Sequence, residues 1–425
     1  MTTPTPQRAL LRDPDLRRYL TARFLVGVAT QIQSVAVGWQ VFQLTGSAFD
    51  LGLVALAQFL PFFVLILPAG HVADQYDRRR IQSLTYGLLA VTSAALLAVT
   101  LAGISNPWPI FAIMLLSGVA RAFNQPTAQA LLPNLAPPGT FPRAVALNST
   151  LGQVATIAGP ALGGVLILGG IGLAYAVSLL VIVIGTVLVL ELRGGGRGDA
   201  AREAPTWSTL FSGLRFVRSR PVVLGSISLD LVAVLFGGAE VLLPIFAGEI
   251  LGVGPVGLGI MRASPAVGAA LLAVMLTVRP IRRHVGRWLF GGVVVFGLAT
   301  VVFGLSTSFP LSVAALLVLG AADMVSMYVR HLLVQLATPD EIRGRVSAVN
   351  SVFIGASNEV GAFESGITAA WWGIVPAVVV GGAATIVVAG VWMALFPVLR
   401  RLDRFPGIRQ ADGEGERSPH PVDSA

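Results

Sequence analysis

Apolar positions in this chain come as long continuous runs, broken by short polar stretches. Twelve runs are each about 20 residues long, the length of a helix that crosses a membrane hydrocarbon core. They start near Leu20, Leu51, Ser83, Pro109, Ala144, Gly172, Val222, Val256, Trp288, Leu311, Val346 and Val375. The breaks hold Gly, Pro, Ser and Arg. One break is longer, between the sixth and seventh runs. The pattern predicts an all-α integral membrane protein with twelve transmembrane helices. Twelve such helices would use roughly 240 residues, which leaves short loops, one central connection and two tails.

Charge orients the helices. The 29 Lys+Arg positions are all Arg. The even-numbered gaps carry Arg78, Arg79 and Arg80; Arg143; Arg193 to Arg220; Arg279 to Arg287; and Arg343 with Arg345. The odd-numbered gaps, near Thr45, Ser105, Gly170, Gly252, Ser308 and Trp372, carry none. Cytoplasmic loops retain basic residues, so both termini are expected in the cytoplasm of a multi-pass cell-membrane protein. Hydrophobic residues make up 55% of the chain and charged residues 12%, too little charge to cover a soluble surface. The net charge of +8 is spread over loops, with no basic helix or aromatic platform, so no nucleic-acid partner is expected. No small-residue cleavage site follows a short apolar core, so Leu20 onward is expected to be a first span, not a removed signal. The absence of Cys excludes disulfides, thiolate metal sites and cysteine nucleophiles.

The chain repeats itself. Leu147-Asn148-Ser149 returns as Val349-Asn350-Ser351, 202 residues later (349 − 147). The same offset, without a gap, relates Gly118 to Gly320, Leu131 to Leu333, Pro137 to Pro339, Arg143 to Arg345, Gly159 to Gly361 and Gly164 to Gly366. An offset of six spans preserves orientation, so two six-helix bundles related by an axis along the membrane normal are expected. The boundaries expected are an N-terminal bundle over 1–192, a linker over 193–220, a C-terminal bundle over 221–400 and a disordered tail over 401–425. Within the linker, Trp207, Leu210, Phe211, Leu214 and Phe216-Val217 alternate with Arg215 and Arg218 as in a short amphipathic helix at the membrane surface. The entrance to the seventh span would account for the same residues.

Two local motifs stand out. The gap after the second span reads Gly70-His71-Val72-Ala73-Asp74-Gln75-Tyr76-Asp77-Arg78-Arg79-Arg80. Gly70 permits close helix approach, and Asp74 suits the exposed N–H groups of a helix start. A polar turn with anchoring arginines is the plainer reading. The fifth span holds Gly159-Pro160-Ala161-Leu162-Gly163-Gly164. There the proline bends the helix and the glycines admit a neighbour.

The first motif resembles the signature loop of the major facilitator superfamily, matching at Gly70, Asp74, Arg78 and Arg79 and departing at Gln75 and Asp77. The resemblance implies two pseudo-symmetric six-helix bundles, and a gate in which Asp74 meets the start of the eleventh helix near Val346. The second motif is similar to that superfamily's export-associated motif, although a kinked packing face with no bearing on direction explains it too. Further likeness lies in Thr21-Ala22-Arg23-Phe24, Gly213-Leu214-Arg215-Phe216-Val217, Leu243-Pro244 and Gln335 to Val346. Together these resemble the enterobactin-exporter branch, which includes siderophore and drug exporters.

Charges inside spans are costly in lipid and point to cavities or partners. The coupling or cavity candidates are Arg121, Asp230, Glu240, Asp323, Glu359 and Glu364, with Arg262 beside them. Arg23 and Arg330 lie near span ends and are expected to reach the interface. Arg121 and Asp323 differ by 202 and carry opposite charge, so they are expected to attract each other across a cavity; separate partners within each half, for example Asp323 with Arg330, are the competing reading. Glu359 and Glu364 are about 140° apart around a helix and do not share a partner. Gln31, Gln33, Gln58, Asn124, Gln125 and Asn148 either line the cavity or join helices.

Enzyme chemistry finds no support. Without Lys there is neither a P-loop lysine nor a Schiff base, and His71, His284, His331 and His420 are scattered. No catalytic residue, metal or cofactor is expected. The expectation is a monomeric secondary transporter, exporting a siderophore or drug-like molecule by alternating access and exchanging it for protons. Import by the same fold, or a polytopic membrane enzyme or lipid-handling scaffold, are the alternatives.

Overall fold

A computed structural model describes residues 13–137, 139–194 and 207–405. Six helices form the first half: α1 (Pro14–Thr45), α2 (Ala48–Gln75), α3 (Arg78–Leu101), α4 (Trp108–Leu135), α5 (Phe141–Leu168) and α6 (Ile171–Leu190). A linker helix, Trp207–Ser219, leads to the second half. There α7 (Pro221–Phe236) is followed by α8 (Gly254–Val278), α9 (Val285–Leu305), α10 (Phe309–Ala337), α11 (Asp340–Trp372) and α12 (Ile374–Leu395). Among the described residues, 10 helical segments are long and apolar enough to cross a membrane. Leu84, Leu101, Val278 and Trp371 are largely exposed on the outside of the bundle, as lipid-facing side chains are.

Local chemistry sets the ends. The Asp13 carboxylate accepts hydrogen bonds from the N–H groups of Asp15 and Leu16, and Pro14 supplies the first helical residue of α1. Gly46, at φ 60°, closes α1 in the left-handed conformation that only glycine adopts cheaply. Asp77, one of the departures from the signature loop, caps α3. After α7 the chain leaves regular helix at Gly237-Gly238, runs through a 3₁₀ turn at Ala239–Leu242 and a π turn at Phe246–Ile250, and so reaches the far end of the span.

Packing repeats with the sequence. In the first half α1 packs on α5 and α6, α2 on α4, and α3 on α4 and α6. In the second half α7 packs on α11 and α12, α8 on α10, and α9 on α10 and α12. Across the halves α5 meets α8, and α2 meets α11. Equivalent glycines make equivalent contacts. A Cβ at Gly159 would lie 3.1 Å from the Val28 carbonyl oxygen on α1, and one at Gly361 would lie 2.8 Å from that of Leu235 on α7. Gly164 and Gly366 instead meet the opposite half, 3.2 Å from Cα of Gly259 on α8 and 2.8 Å from Cα of Gly52 on α2. The molecule is a multi-pass integral membrane protein of two pseudo-symmetric six-helix bundles.

The two ends of the bundle differ. At the end formed by the hairpin loops, one apolar cluster runs continuously through both halves, from Val35, Leu51 and Phe111 to Phe246, Phe303 and Leu316. At the linker end each half has its own cluster, one around Tyr19 and Leu131 and one around Leu289 and Val329. The linker helix docks on the second half, with Val217 buried against Val223, Val346 and Val349. The side chains of Trp207, Leu210 and Phe211 lie outside the described residues. Residues 401–405 pack against the start of α9, where the Gly286 N–H donates to the Leu402 carbonyl at 2.8 Å and Phe405 is buried. The tail beyond 405 lies outside the described residues.

Candidate functional site

The charges buried in the helices form separate groups. Arg330 on α10 pairs with Asp230 on α7, both side chains almost wholly buried. This corrects the expectation that Arg330 reaches the interface. The two residues lie at similar depth, each about 10–14 Å from the linker-end terminus of its helix at 1.5 Å per residue. The Arg330 Nε is buried without a hydrogen-bond partner. Beside the pair is a small cavity of about 10 Å³ whose lining includes Asp230, Asp323, Ser326 and Phe296. That is close to the room one water molecule needs.

Arg121 does not face Asp323. Its guanidinium crosses the boundary between halves and pairs with Glu359 of α11 at 3.0 Å. It also donates to Gln58 Oε1 at 3.2 Å and lies 5.9 Å from the centre of the Phe62 ring. The pseudo-symmetry explains why the two do not pair. The repeat that carries Arg121 onto Asp323 carries Glu359 onto Ile157 (359 − 202), so Asp323 inherits the place of Arg121 but finds no charged partner there. Asp323 does not pair with Arg330 either, because Asp230 takes that guanidinium. Glu240 is exposed near both Arg262 and Asp323. Arg262 on α8 donates to Ser34 Oγ on α1 at 2.8 Å, and Gln153 on α5 donates to the Ala266 carbonyl on α8 at 3.0 Å. Glu364 is half-buried, five residues beyond Glu359, and takes no part in the Arg121 bridge.

The uncharged polar candidates divide. Gln33 accepts from Ser93 Oγ at 2.6 Å and joins α1 to α3; Asn124 accepts from Gln82 Nε2 at 2.7 Å and joins α4 to α3. Gln125 is exposed. Gln31 and Asn148, by contrast, line a cavity of about 230 Å³ between α1 and α5, with Arg23, Phe24, Leu151 and Thr156. Arg23 was expected at the interface, yet it lines this cavity and donates to Tyr19 Oη at 3.4 Å. Arg23 comes one residue after the buried Ala22 and three before the buried Val26, so it shares their side of α1.

The signature-loop arginines brace helix ends in the first half. Arg78 donates to the carbonyls of Ala73 and Ala130, near the ends of α2 and α4, at 3.3 and 3.2 Å. Arg79 reaches the Leu192 carbonyl beyond α6 at 2.8 Å and pairs with Asp77 at 3.1 Å. Cationic side chains suit these helix C-termini. Partial burial works against the Asp77 carboxylate, but hydrogen bonds and charge from Arg79 outweigh it and hold the group below the usual carboxylate range. Gly70 is buried in the last turns of α2; the side chain of Asp74 lies outside the described residues. In the second motif, Pro160 and Gly163 are buried, and Gly163 packs on Ile32 of α1.

Twelve helices in two equivalent bundles, with charged and polar side chains turned into the space between them, define a major facilitator transporter. The chain belongs to the transmembrane secretion effector family of that superfamily, which matches residues 7–407. Among curated relatives, the multidrug efflux pump Tap of Mycolicibacterium fortuitum is 27% identical over 402 residues, 90% of this chain and 96% of that one. The enterobactin exporter EntS of Citrobacter koseri is 26% identical over 398 residues, covering 93% and 95%. These relatives are pumps and exporters, not enzymes. The crystal structure of the nucleoside transporter NupG aligns with a TM-score of 0.69 at 15% identity, over 90% of this chain and 99% of that one. A bacterial homolog of the human lysosomal transporter Spinster, in an inward-facing and unoccupied conformation, aligns at 0.68 with 15% identity, over 94% and 98%. At such identity these two structures speak for the fold.

Proposed function

We propose that the protein is a proton-coupled exporter of a small amphipathic molecule, of siderophore or drug-like size, working in the cell membrane by alternating access. The observation that carries this reading is the unequal packing of the two ends. The apolar core is continuous across the halves at the loop end and divided at the linker end, and the 230 Å³ cavity lies in the divided half of α1 and α5. Arginine fills the linker-end gaps and is missing from the loop-end gaps, which supports a cytoplasmic linker end with both termini. A molecule closed outside and parted inside is ready to load from the cytoplasm. The names of the pump and exporter relatives, aligned over nine-tenths of the chain, support export. Protons are the coupling ion best supplied by the carboxyls at hand, Asp323 and Glu240, since Asp230 is held by Arg330. Asp74 remains the proposed latch to the start of α11, closing the cytoplasmic side when the loop end opens. A monomer suffices for this cycle.

The test is transport in sealed vesicles. Energised inverted vesicles should accumulate a substrate dye, and dissipating the proton gradient should stop them. Accumulation only in right-side-out vesicles would replace export by import. Chemical conversion of the compound would replace transport by enzyme action. Asp74→Asn should insert normally and transport poorly; unchanged rates would remove the latch.

A further inference from the structure

Four arginines lie well inside the membrane-spanning helices, at least seven residues from either end, and three have an acid close by. Arg121 pairs with Glu359, Arg330 pairs with Asp230, and Arg262 sits near Glu240 and Glu359. Arg23 is different. Among the described residues its hydrogen bond goes to the Tyr19 hydroxyl, at 3.4 Å, and its titratable neighbours are two phenols, Tyr19 and Tyr86. A phenol is neutral at physiological pH and balances no charge. A cation held inside a bundle without a counter-charge is expensive, and such groups persist where something else supplies the charge.

The space next to Arg23 supplies room for it. The cavity of about 230 Å³ is also lined by Gln31 and Asn148, neither of which has a side-chain hydrogen-bond partner among the described residues. An amide carries two N–H donors, and a guanidinium carries five in a planar fork that matches a carboxylate. Phe24 and Leu151 give the same cavity an apolar wall. Gly152 opens on empty space, with nothing within 4 Å of where a Cβ would be. The set combines one unbalanced cation, two unpartnered amides and an apolar wall.

We propose that the α1–α5 cavity binds the anionic head of an amphipathic organic acid, with Arg23 as its counter-ion, Gln31 and Asn148 as hydrogen-bonding groups, and Phe24 and Leu151 against its ring. This rests on the reading of the protein as an exporter and names the class of compound it carries. A cavity of this size takes the charged end of a molecule, and the remainder extends into the space between the halves. Arg23 is then the residue that selects anions, while the acid-rich second half handles the coupling ion.

The experiment uses the purified full chain in lipid nanodiscs, with 2-naphthoate as probe and the uncharged 2-naphthamide as its isostere. Naphthoate should bind saturably and at least tenfold tighter than the amide. Arg23→Gln should weaken naphthoate at least tenfold and leave the amide unchanged, and Arg23→Lys should recover part of the loss. Gly152→Leu removes no polar group and favours helix, so it should fold, fill the cavity and displace both probes. Equal binding of naphthoate and amide, no saturable naphthoate binding, or unchanged naphthoate affinity in Arg23→Gln would each overturn the proposal. Export of ethidium and of naphthoate from vesicles, measured in parallel, separates this from the exporter reading. Ethidium export with no naphthoate binding sinks the anion site alone. Charge-selective naphthoate binding that depends on Arg23, without export of any probe, upholds the site and sinks the exporter reading.

Discussion

Arg121 on α4 and Glu359 on α11 form an ion pair of 3.0 Å that ties one half of the molecule to the other. The Arg121 side chain is 45% exposed, so the bridge stands in a wet space and its strength is screened. Its importance lies in position: a change in which the halves part at this depth has to break it. Arg121→Glu and Glu359→Arg should each cut transport at least tenfold, and the double exchange should restore much of it. A double-mutant cycle on transport rate checks this: the double exchange should transport faster than either single variant. Additive losses would mean that the two residues act separately.

The Asp230–Arg330 pair is buried and belongs to a single half. Removing one partner strands the other charge, so Asp230→Asn should lower stability by about 3 kcal/mol or more, and Arg330→Met likewise. The double variant Asp230→Leu with Arg330→Met should recover most of the loss, because a well-packed apolar pair replaces a desolvated one. Thermal unfolding of the detergent-purified variants measures both. A double variant that folds well and still exchanges protons for substrate would show the pair to be structural.

Asp323 lines the water-sized cavity beside that pair and has no salt-bridge partner among the described residues. Asp323→Asn should abolish gradient-driven export and keep downhill exchange of substrate. Substrate-dependent alkalinisation inside vesicles is the readout. Full proton movement in this variant and in Glu240→Gln would move coupling to Glu364 or Glu359.

Gly366 lies against Gly52 with no side chain between the backbones. A methyl group at 366 would sit 2.8 Å from the Ala48 carbonyl oxygen and from Cα of Gly52, closer than real contacts allow. Gly366→Ala should therefore loosen the loop end, and Gly164→Ala should do the same through α8. Cysteine pairs placed across the two ends would report it, with slower cross-linking at the loop end and faster at the linker end. Unchanged cross-linking would mean that the helices shift without parting.

Asp77 caps α3, so Asp77→Ala should lower stability by about 1 kcal/mol. Its folded pKa is depressed, so its contribution is complete above the ordinary aspartate value near 4 and fades as pH falls through the lower folded value. Unfolding temperatures of wild type and Asp77→Asn should converge on acidification below about pH 4.

The spans and the duplication were legible because they rest on one-dimensional patterns: apolar run length and a constant offset of 202. The offset matched Gly159 with Gly361 and Gly164 with Gly366, and the matched glycines make equivalent contacts. The ion pairs were harder to read, because a partner depends on how each helix is rotated about its own axis. Arg121 and Asp323 are matched by the repeat, and for that reason they sit in equivalent places on opposite sides of the axis, facing different neighbours. Depth would have paired Asp230 with Arg330, since both lie a similar distance from the linker end. In sequence Arg23 looks close to a helix end, but α1 has 32 residues and overshoots a membrane core, which places Arg23 within it. Gln33 and Asn124 look no different in sequence from Gln31 and Asn148; burial against Ser93 or Gln82 separates them.

Where Gly52 meets Gly366 and Gly164 meets Gly259, the halves touch backbone to backbone. Interlocked side chains would have to change rotamer before such surfaces could turn on one another. Bare glycine faces do not, so the resistance to tilting there is little more than the loss of a few dispersion contacts. In the proposed alternating-access cycle the two glycine crossings would serve as a fulcrum, letting the halves rock without repacking the interior.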